Sequence, residues 1–345
     1  MNRIPWLHSA SADSILILSP AFAVTAAVLL WPRFFTADND VSPFLWLLLV
    51  VGVDVAHVYS TLYRTYFDKE ESARYRQLLI FIPLGCWIAG ILLYSMGKYT
   101  FWRTLAYLAV FHFVRQQYGF LRLYSRQENG SRLGRIIDGT AVYLATLYPL
   151  VYWHTHPRSF HWFLDGDFVA IAAPWLERLT LVLYAAALAA YVWKAIADAR
   201  RASMVNWPKH LILAGTALSW YTGIVLYDGD LTFTATNVVA HGIPYMGLIW
   251  MFERKKSAAL IYRPLMAPVF TGFLIGLAYV EEAFWDVLVW RDHTQFFAWL
   301  AFLPHLDEKS TLAIVVPLLA VPQATHYVLD GFIWRIRKGA LAPLP

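Results

Sequence analysis

Cysteine and charged residues are both scarce in this sequence. Cys86 is the single cysteine, which excludes an internal disulfide and a metal cage built from thiolates. Only 15% of the 345 residues are charged, whereas soluble globular chains carry roughly a quarter. The net charge of +5 is spread among apolar runs instead of being clustered on one segment, so the sequence gives no signal for nucleic-acid binding.

Apolar residues are abundant: 59% of the chain is hydrophobic and its mean hydropathy is +0.48. Ten apolar runs approach or reach the roughly 20 residues needed to cross a bilayer as a helix. They cover 14–31, 43–63, 77–96, 101–121, 136–153, 174–193, 210–227, 231–252, 264–280 and 311–334. The sequence therefore predicts an all-α, polytopic transmembrane bundle of about ten spans, forming one integral membrane domain over residues 1–345. Residues 281–309 mix tryptophans with acidic residues, which favours an interfacial or re-entrant helix.

The loops between these runs alternate in charge. Basic residues follow every second run, whereas the intervening loops hold acidic residues such as Asp38 and Asp40. By the positive-inside rule this alternation predicts that both termini are cytoplasmic. The basic loops carry Arg64, Lys69, Arg74 and Arg76; Arg122, Arg126, Arg132 and Arg135; Lys194, Arg200, Arg201 and Lys209; Arg254, Lys255, Lys256 and Arg263; and Arg335, Arg337 and Lys338.

Four histidines lie deep inside the predicted spans, each on a different span running in the same direction. An imidazole in hydrocarbon needs a polar partner. Four at comparable depth suggest one shared partner, and the simplest is a metal ion. The sequence therefore predicts a metal centre with the ligands His57, His112, His241 and His326.

Polar residues accompany each histidine at the three- or four-residue spacing of one helical face. We expect Asp54 and Asp330 to hydrogen-bond the outer ring nitrogens of bound imidazoles, as carboxylates often do. Arg115 is expected to pair with an aspartate or to bind an anionic species, and Tyr245 to reach the metal or a bound oxygen. The full set of expected neighbours is Asp54, Arg115, Gln116, Asn237, Tyr245 and Asp330.

Other interpretations of these residues stay open. A buried histidine often only hydrogen-bonds between helices, and two histidine pairs can ligate haem. Asp54, Arg115 and Asp330 can also carry protons or ions in a transporter, with the histidines as relay groups. The closely spaced histidine pairs expected of membrane di-iron desaturases are absent from the sequence.

A second group of histidines falls in a predicted outer loop. His154, His156 and His161 have a spacing that can bind Zn or Cu, and Asp165 and Asp167 follow. Pro157 and Arg158 interrupt the group. We therefore favour an interfacial loop over a second metal site.

Four segments together resemble the bacterial β-carotene 15,15′-dioxygenases of the Brp/Blh type. They are Asp54-Val55-Ala56-His57, Phe111-His112-Phe113, Val239-Ala240-His241-Gly242 with Tyr245 and Trp250, and Val321-Pro322 followed by His326 to Asp330 and Trp334-Arg335. The resemblance lies in the order of the four histidine-bearing helices and in the histidine-to-arginine spacing of the last.

The resemblance implies a bacterial inner-membrane enzyme that holds non-haem iron through His57, His112, His241 and His326, uses O₂ and cleaves β-carotene to retinal. Tyr245 stands where that family tends to place another histidine, and this chain has extra spans. A lipophilic substrate is expected to enter laterally from lipid toward aromatic residues. These are Phe111, Phe113, Tyr118, Tyr245, Trp250 and Tyr327.

The predicted topology can be tested with reporter fusions or cysteine labelling. The loops around Lys69, Arg132, Arg201 and Lys255 should be cytoplasmic and the loop around His156 should be outside. If loops 64–76 and 154–167 label from the same side, the span count is wrong. The argument from co-directional histidines then fails with it.

Overall fold

The protein is all-helical in a computed structural model that describes residues 6–36, 41–128, 130–156, 162–201, 204–227, 229–256 and 266–334. Within these ranges there is no β-strand, so the predicted all-α class is confirmed. The side chains of Lys255 and Lys256 lie outside the description, as do Asp38, Asp40, Arg263, Arg335, Arg337 and Lys338.

In the part of the chain that the structure describes, each of the ten apolar runs lies on a helix, and the last run is bent into two helices. In chain order the helices are α1 (Ala10–Leu30), α2 (Pro43–Arg64), α3 (Arg76–Met96), α4 (Lys98–Tyr124), α5 (Arg132–Thr155), α6 (Pro174–Arg201), α7 (Trp207–Trp220, continued by Tyr221–Leu226), α8 (Asp230–Phe233, Thr234–Val238 and Val239–Lys256 in succession), α9 (Ala267–Trp285, continued by Asp286–Trp290), α10 (Lys309–Leu319) and α11 (Val321–Ile333). Short helices cover Pro32–Thr36, Lys69–Arg74 and Thr294–Phe297.

Four described helices are long and apolar enough to cross a membrane: α1, α2, α3 and α6. The pair α10 and α11, which meet at 43°, makes a fifth candidate if it is one span. A membrane location is therefore possible, whereas ten spans, cytoplasmic termini and a single domain stay predictions. Helices α4 and α8 carry polar residues within their apolar runs, Arg115 and Gln116 on α4 and Asn237 on α8.

Local sequence explains where several helices begin. The side chain of Ser9 accepts a hydrogen bond from the backbone of Ala12, and the Ser131 hydroxyl accepts one from Gly134, so both satisfy free N–H groups of a first turn. Asn206 caps α7 in the same way. Gly97 has a φ of 148°, which a side chain would strain, and it lets α4 begin directly after α3 ends.

The residues divide by their contacts into two compact units, and the chain passes from one to the other before α2, within α4 and within α8. Unit 1 comprises Met1–Val41 and Val110–Pro244. Within it α5 packs against α6 and α7, and α7 packs against α1. An aromatic core joins α5 and α7 to parts of α4 and α8, and its buried members are Phe113, Trp153, Trp220, Ile224 and Phe233.

Unit 1 also contains a buried ion-pair network. Lys209 Nζ lies 2.9 Å from Glu128 Oε2, and Lys194 Nζ lies 3.1 Å from Asp138 Oδ1. Lys209 and Asp138 are almost fully buried. Buried ion pairs of this kind add little net stability but make other packings costly.

Unit 2 comprises Ser42–Ala109 and Tyr245–Pro345. Within it α9 packs against α2, and α3 packs against both α10 and α11. The buried guanidinium of Arg64 at the end of α2 lies 3.6 Å from Glu253 and 3.9 Å from the ring centre of Phe252. A Cβ on Gly90 would come within 2.7 Å of Pro317, so the glycine allows α3 to approach α10 closely.

The interpretation of residues 281–309 as a separate interfacial helix is only partly right. Helix α9 continues through Glu281 and Glu282 and ends in π-helical turns at Asp286–Trp290. The chain then reverses at Arg291, whose φ is 62°, before the short helix Thr294–Phe297. Glu281 has a polar partner on this helix, because Tyr59 of α2 donates a 2.6 Å hydrogen bond to it.

Gly223 offers a test of the close approach of α7 to α8 within unit 1. A Cβ there would lie 2.1 Å from Thr236 Oγ1 and 2.8 Å from Asn237 Nδ2. Gly223→Ala should therefore destabilise the protein by about 1–3 kcal/mol, the usual cost of overpacking, seen as a lower Tm in detergent. Gly119→Ala is the matched control, because its Cβ meets no atom within 4 Å. Equal melting temperatures for the two variants would contradict the close contact.

Candidate metal centre

Two of the predicted ligand histidines follow π-helical turns. Leu47–Val55 is π-helical and ends two residues before His57, and Thr234–Val238 ends three residues before His241. Such turns carry an extra residue per turn and often mark functional sites. They also shift the helical face on which the following residues lie, which an ideal α-helical spacing does not predict.

In unit 2, His57 from α2 and His326 from α11 form a buried pair. Each residue is 1% exposed, and their ring centres lie 5.0 Å apart at 79°. This angle brings the edge of one ring toward the face of the other. Both imidazoles are thus almost completely shielded from solvent.

Polar side chains in unit 2 hold these two rings. Asp54 Oδ1 lies 3.7 Å from His57 Nδ1, at the expected three-residue spacing but beyond direct hydrogen-bonding distance. Asp330 Oδ1 lies 3.9 Å from His326 Nδ1, which is too long for a direct hydrogen bond. The partner at bonding distance is Thr61, whose Oγ1 lies 2.7 Å from His326 Nδ1.

Thr61 is the residue that sequence reasoning missed. It lies four residues after His57 on α2, so the spacing rule applied to the other neighbours would have selected it. Its bond to His326, however, joins residues 265 positions apart. Only the packing of α11 against α2 brings the two together.

Tyr245 is buried in unit 2 beside the His57 and His326 rings, whose centres lie 5.8 and 5.1 Å from its own. Its hydroxyl donates a 2.5 Å hydrogen bond to Asp330 Oδ1 and lies 3.1 Å from Thr61 Oγ1. The Trp334 indole N–H donates to the same hydroxyl at 3.5 Å. The Tyr245 hydroxyl is therefore within hydrogen-bonding distance of Asp330, Thr61 and Trp334.

In unit 1, His112 from α4 and His241 from α8 form the second buried pair. Their ring centres lie 4.9 Å apart at 79°. The ring of Phe113 stacks on His241 at 3.6 Å with an interplanar angle of 9°. Phe113 belongs to the aromatic core, so His241 packs directly against that core.

The two predicted amide neighbours have different contacts in the structure. Gln116 donates a 3.1 Å hydrogen bond to the backbone carbonyl of His241, so it holds the α8 backbone and not the ring. Asn237 is buried and donates to the Phe233 carbonyl at 3.4 Å and to Thr236 Oγ1 at 3.2 Å. Both residues stabilise the π-helical part of α8 or the turn that follows it.

The four histidines form one group that can hold a metal ion. One ring nitrogen from each of His57, His112, His241 and His326 lies within 4.8 Å of the other three, and all four residues are buried. Ligand atoms bonded at about 2.1 Å lie at most about 4.2 Å from one another across a metal. Four nitrogens bonded in a tetrahedron would lie about 3.4 Å from one another, so the four rings would move closer together around a bound ion. Imidazole suits Zn, Cu, Fe and Ni, so the ligands alone do not select the metal.

Two sequence expectations about α4 do not match its contacts. Arg115 is exposed, and its guanidinium donates to the Tyr143 hydroxyl and lies 5.2 Å from the ring centre of Tyr118. Its hydrogen bond thus goes to a tyrosine and not to an aspartate, whereas the alternative expectation, that Arg115 binds an anionic species, stays a prediction. Phe111, expected to line the site, is 62% exposed.

The outer-loop histidines of the sequence behave as structural residues where they are described. His154 Nδ1 lies 2.6 Å from the Leu150 carbonyl, and His156 Nδ1 lies 3.0 Å from the Tyr152 carbonyl. His161 falls outside the described residues. Asp167 Oδ2 accepts backbone N–H groups at positions 162–164 and thereby fixes the loop.

His293 likewise packs against another side chain. Its ring stacks on Trp46 at 3.8 Å, and burial lowers its pKa.

No protein-family model, curated protein or solved structure matches this chain. The site is therefore interpreted from its own geometry.

Metal retention tests the group directly. Replacing any of His57, His112, His241 or His326 with Ala should abolish binding of one metal ion per protein, measured by elemental analysis after purification. Asp54→Asn should weaken binding by about 10- to 100-fold, because it removes the negative charge that lies 3.7 Å from His57 Nδ1. His154→Ala is the control, since its ring bonds its own helix. Full occupancy in two of the four alanine variants would exclude a single shared site.

Proposed function

We propose that this protein is a membrane-bound oxygenase that holds one non-haem iron ion through His57, His112, His241 and His326 and acts on a lipophilic substrate. The observation that carries the proposal is the convergence of four buried imidazole nitrogens from four helices. Imidazoles removed from water need strong partners, and hydrogen bonding between helices does not require four at one point. A shared cation accounts for all of them.

The iron would supply the redox chemistry that activates O₂, while the protein supplies position and a dry surrounding. The ligand helices place the rings among buried apolar side chains, such as Phe113 against His241. The polar side chains of unit 2 hold His326 in one orientation through Thr61. Tyr245 completes this arrangement without being needed as a ligand, because its hydroxyl already donates to Asp330.

Haem is the alternative cofactor, and the ring geometry argues against it. Two imidazoles on opposite faces of a haem place their ring centres roughly 6 Å apart with the macrocycle between them. The two pairs have centres 5.0 and 4.9 Å apart at steep angles. This supports one ion shared by four rings over two haems with two histidines each. An optical spectrum decides, because only haem gives a Soret band.

Proton- or ion-coupled transport is the non-enzymatic alternative. It draws on Asp54, Arg115 and Asp330 as carriers, but Arg115 bonds a tyrosine at an exposed position. Asp54 and Asp330 instead lie beside histidine rings of the metal group. Their placement fits the orientation of ligands better than a path for ions.

The substrate proposal comes from the resemblance to the bacterial Brp/Blh enzymes, which implies cleavage of β-carotene to retinal. The reaction breaks the central C=C bond and the O=O bond and forms two C=O bonds, so both oxygen atoms end in aldehydes and no further reductant is needed. A carotenoid would reach the protein from lipid, and a bacterial inner membrane is the proposed location. Four helices apolar enough to cross a membrane support a protein surrounded by such lipid.

Expression in bacteria that accumulate β-carotene tests both parts of this proposal. We expect the cells to bleach and to yield retinal in an O₂-dependent way, and the His241→Ala variant to lose the activity because a ligand is missing. The His154→Ala variant should keep the wild-type rate. Unchanged carotenoid together with one iron per protein would reject the substrate and leave the metalloenzyme. Absence of any bound metal would reject the function as a whole.

A further inference from the structure

Three hydrogen bonds in unit 2 connect His326 to a carboxylate through two hydroxyl groups. His326 Nδ1 lies 2.7 Å from Thr61 Oγ1, and Thr61 Oγ1 lies 3.1 Å from the Tyr245 hydroxyl. The Tyr245 hydroxyl lies 2.5 Å from Asp330 Oδ1. Helices α2, α8 and α11 each contribute to this series, which we call the Thr61 hydrogen-bond chain.

Counting protons gives the direction of each bond. With Asp330 ionised, its carboxylate only accepts, so Tyr245 donates its single hydroxyl proton to it. The bond between Thr61 and Tyr245 must then be donated by Thr61, which also has one proton. Thr61 Oγ1 is left to act as an acceptor toward His326, so the proton of that bond belongs to His326 Nδ1.

We propose that Thr61 is a positioning residue that fixes the tautomer of His326, with Tyr245 and Asp330 holding the Thr61 hydroxyl in the accepting orientation. A neutral imidazole protonated at Nδ1 presents the lone pair of Nε2, which is the form that a metal ion binds. The part of the proposal that concerns metal affinity rests on the proposed function. The tautomer itself is a property of the metal-free protein.

The distances distinguish this assignment from the simpler expectation that Asp330 orients His326 directly. At 3.9 Å the carboxylate is beyond hydrogen-bonding range of Nδ1, whereas Thr61 is at 2.7 Å. The series resembles the carboxylate–histidine arrangement of many metal sites, lengthened by two hydroxyl groups. Thr61 is buried, so water does not compete for the bond.

The test uses the full-length protein in detergent with ¹⁵N-labelled histidine. Thr61→Val keeps the shape of the side chain and removes the hydroxyl, and Thr61→Ser is the matched control that restores it. His326→Ala assigns the His326 resonances. ¹⁵N chemical shifts of the metal-free protein report which ring nitrogen carries the proton, and competition with a chelator gives the affinity for added Fe²⁺.

We expect His326 to be protonated at Nδ1 in the wild type and in Thr61→Ser, and Thr61→Val to lose this preference. The Fe²⁺ affinity of Thr61→Val should fall about 10- to 100-fold, as is typical when the outer partner of a ligand is removed, while Thr61→Ser stays near the wild type. Tyr245→Phe breaks the series one step later. Tyr245→Phe should still bind the metal, with a smaller loss of Fe²⁺ affinity than Thr61→Val. If Thr61→Val does not fold, the tautomer of His326 in Tyr245→Phe decides the test.

Two results would overturn the proposal. One is a wild-type His326 protonated at Nε2, and the other is an unchanged tautomer in both Thr61→Val and Tyr245→Phe. Failure of the wild type to bind any metal would instead reject the proposed function, and the ¹⁵N shifts would still decide the role of Thr61. Complete loss of metal in Tyr245→Phe would contradict both the series and the four-histidine ligand set, because it would make the phenol a ligand.

Discussion

Four imidazoles buried in an apolar interior impose the constraint on which the rest of this structure depends. An imidazole has two ring nitrogens, and leaving either without a partner away from water costs free energy. Nitrogens from four helices meet within 4.8 Å of one another, so one ion can satisfy one nitrogen of every ring. The second nitrogen of each ring must find a hydrogen-bond partner on the surrounding helices. This requirement accounts for polar residues such as Thr61 in otherwise apolar segments.

The two pairs meet that requirement by different means. In unit 2 the rings of His57 and His326 lie beside hydroxyl and carboxyl groups, and these groups bond one another. In unit 1 the ring of His241 is held by an aromatic face, through its stack on Phe113. Hydrogen bonds select a tautomer, whereas a stacked ring restricts the tilt of the imidazole plane. Each unit thus contributes a distinct kind of restraint on its ligands.

The backbone departs from regular α-helix just before two of the four histidines. π-Helical turns precede His57 and His241, and the absence of a side chain at Gly223 lets α7 approach the second of these turns. A π-helical turn has poorer hydrogen-bond geometry than an α-helix and persists where tertiary contacts support it. Asn237 and Thr236 donate to carbonyls one turn earlier on α8 itself, and the tertiary contact here is the close approach of α7 at Gly223. Local strain in α8 is therefore offset by packing within unit 1.

The sequence by itself determined the helical class and the identity of the four histidines. Hydrophobic runs of spanning length and polar residues isolated within them are local signals that survive without a structure. Asp54 beside His57 was predictable for the same reason, because both lie on one helical face. Only the tertiary structure decided that Thr61 and not Asp330 bonds His326, and that Arg115 bonds Tyr143. These hydrogen-bond partners depend on how far apart two helices pack and on which of their faces meet. π-Helical turns change which residues lie on a given face, and the spacing of residues along the chain does not reveal that change.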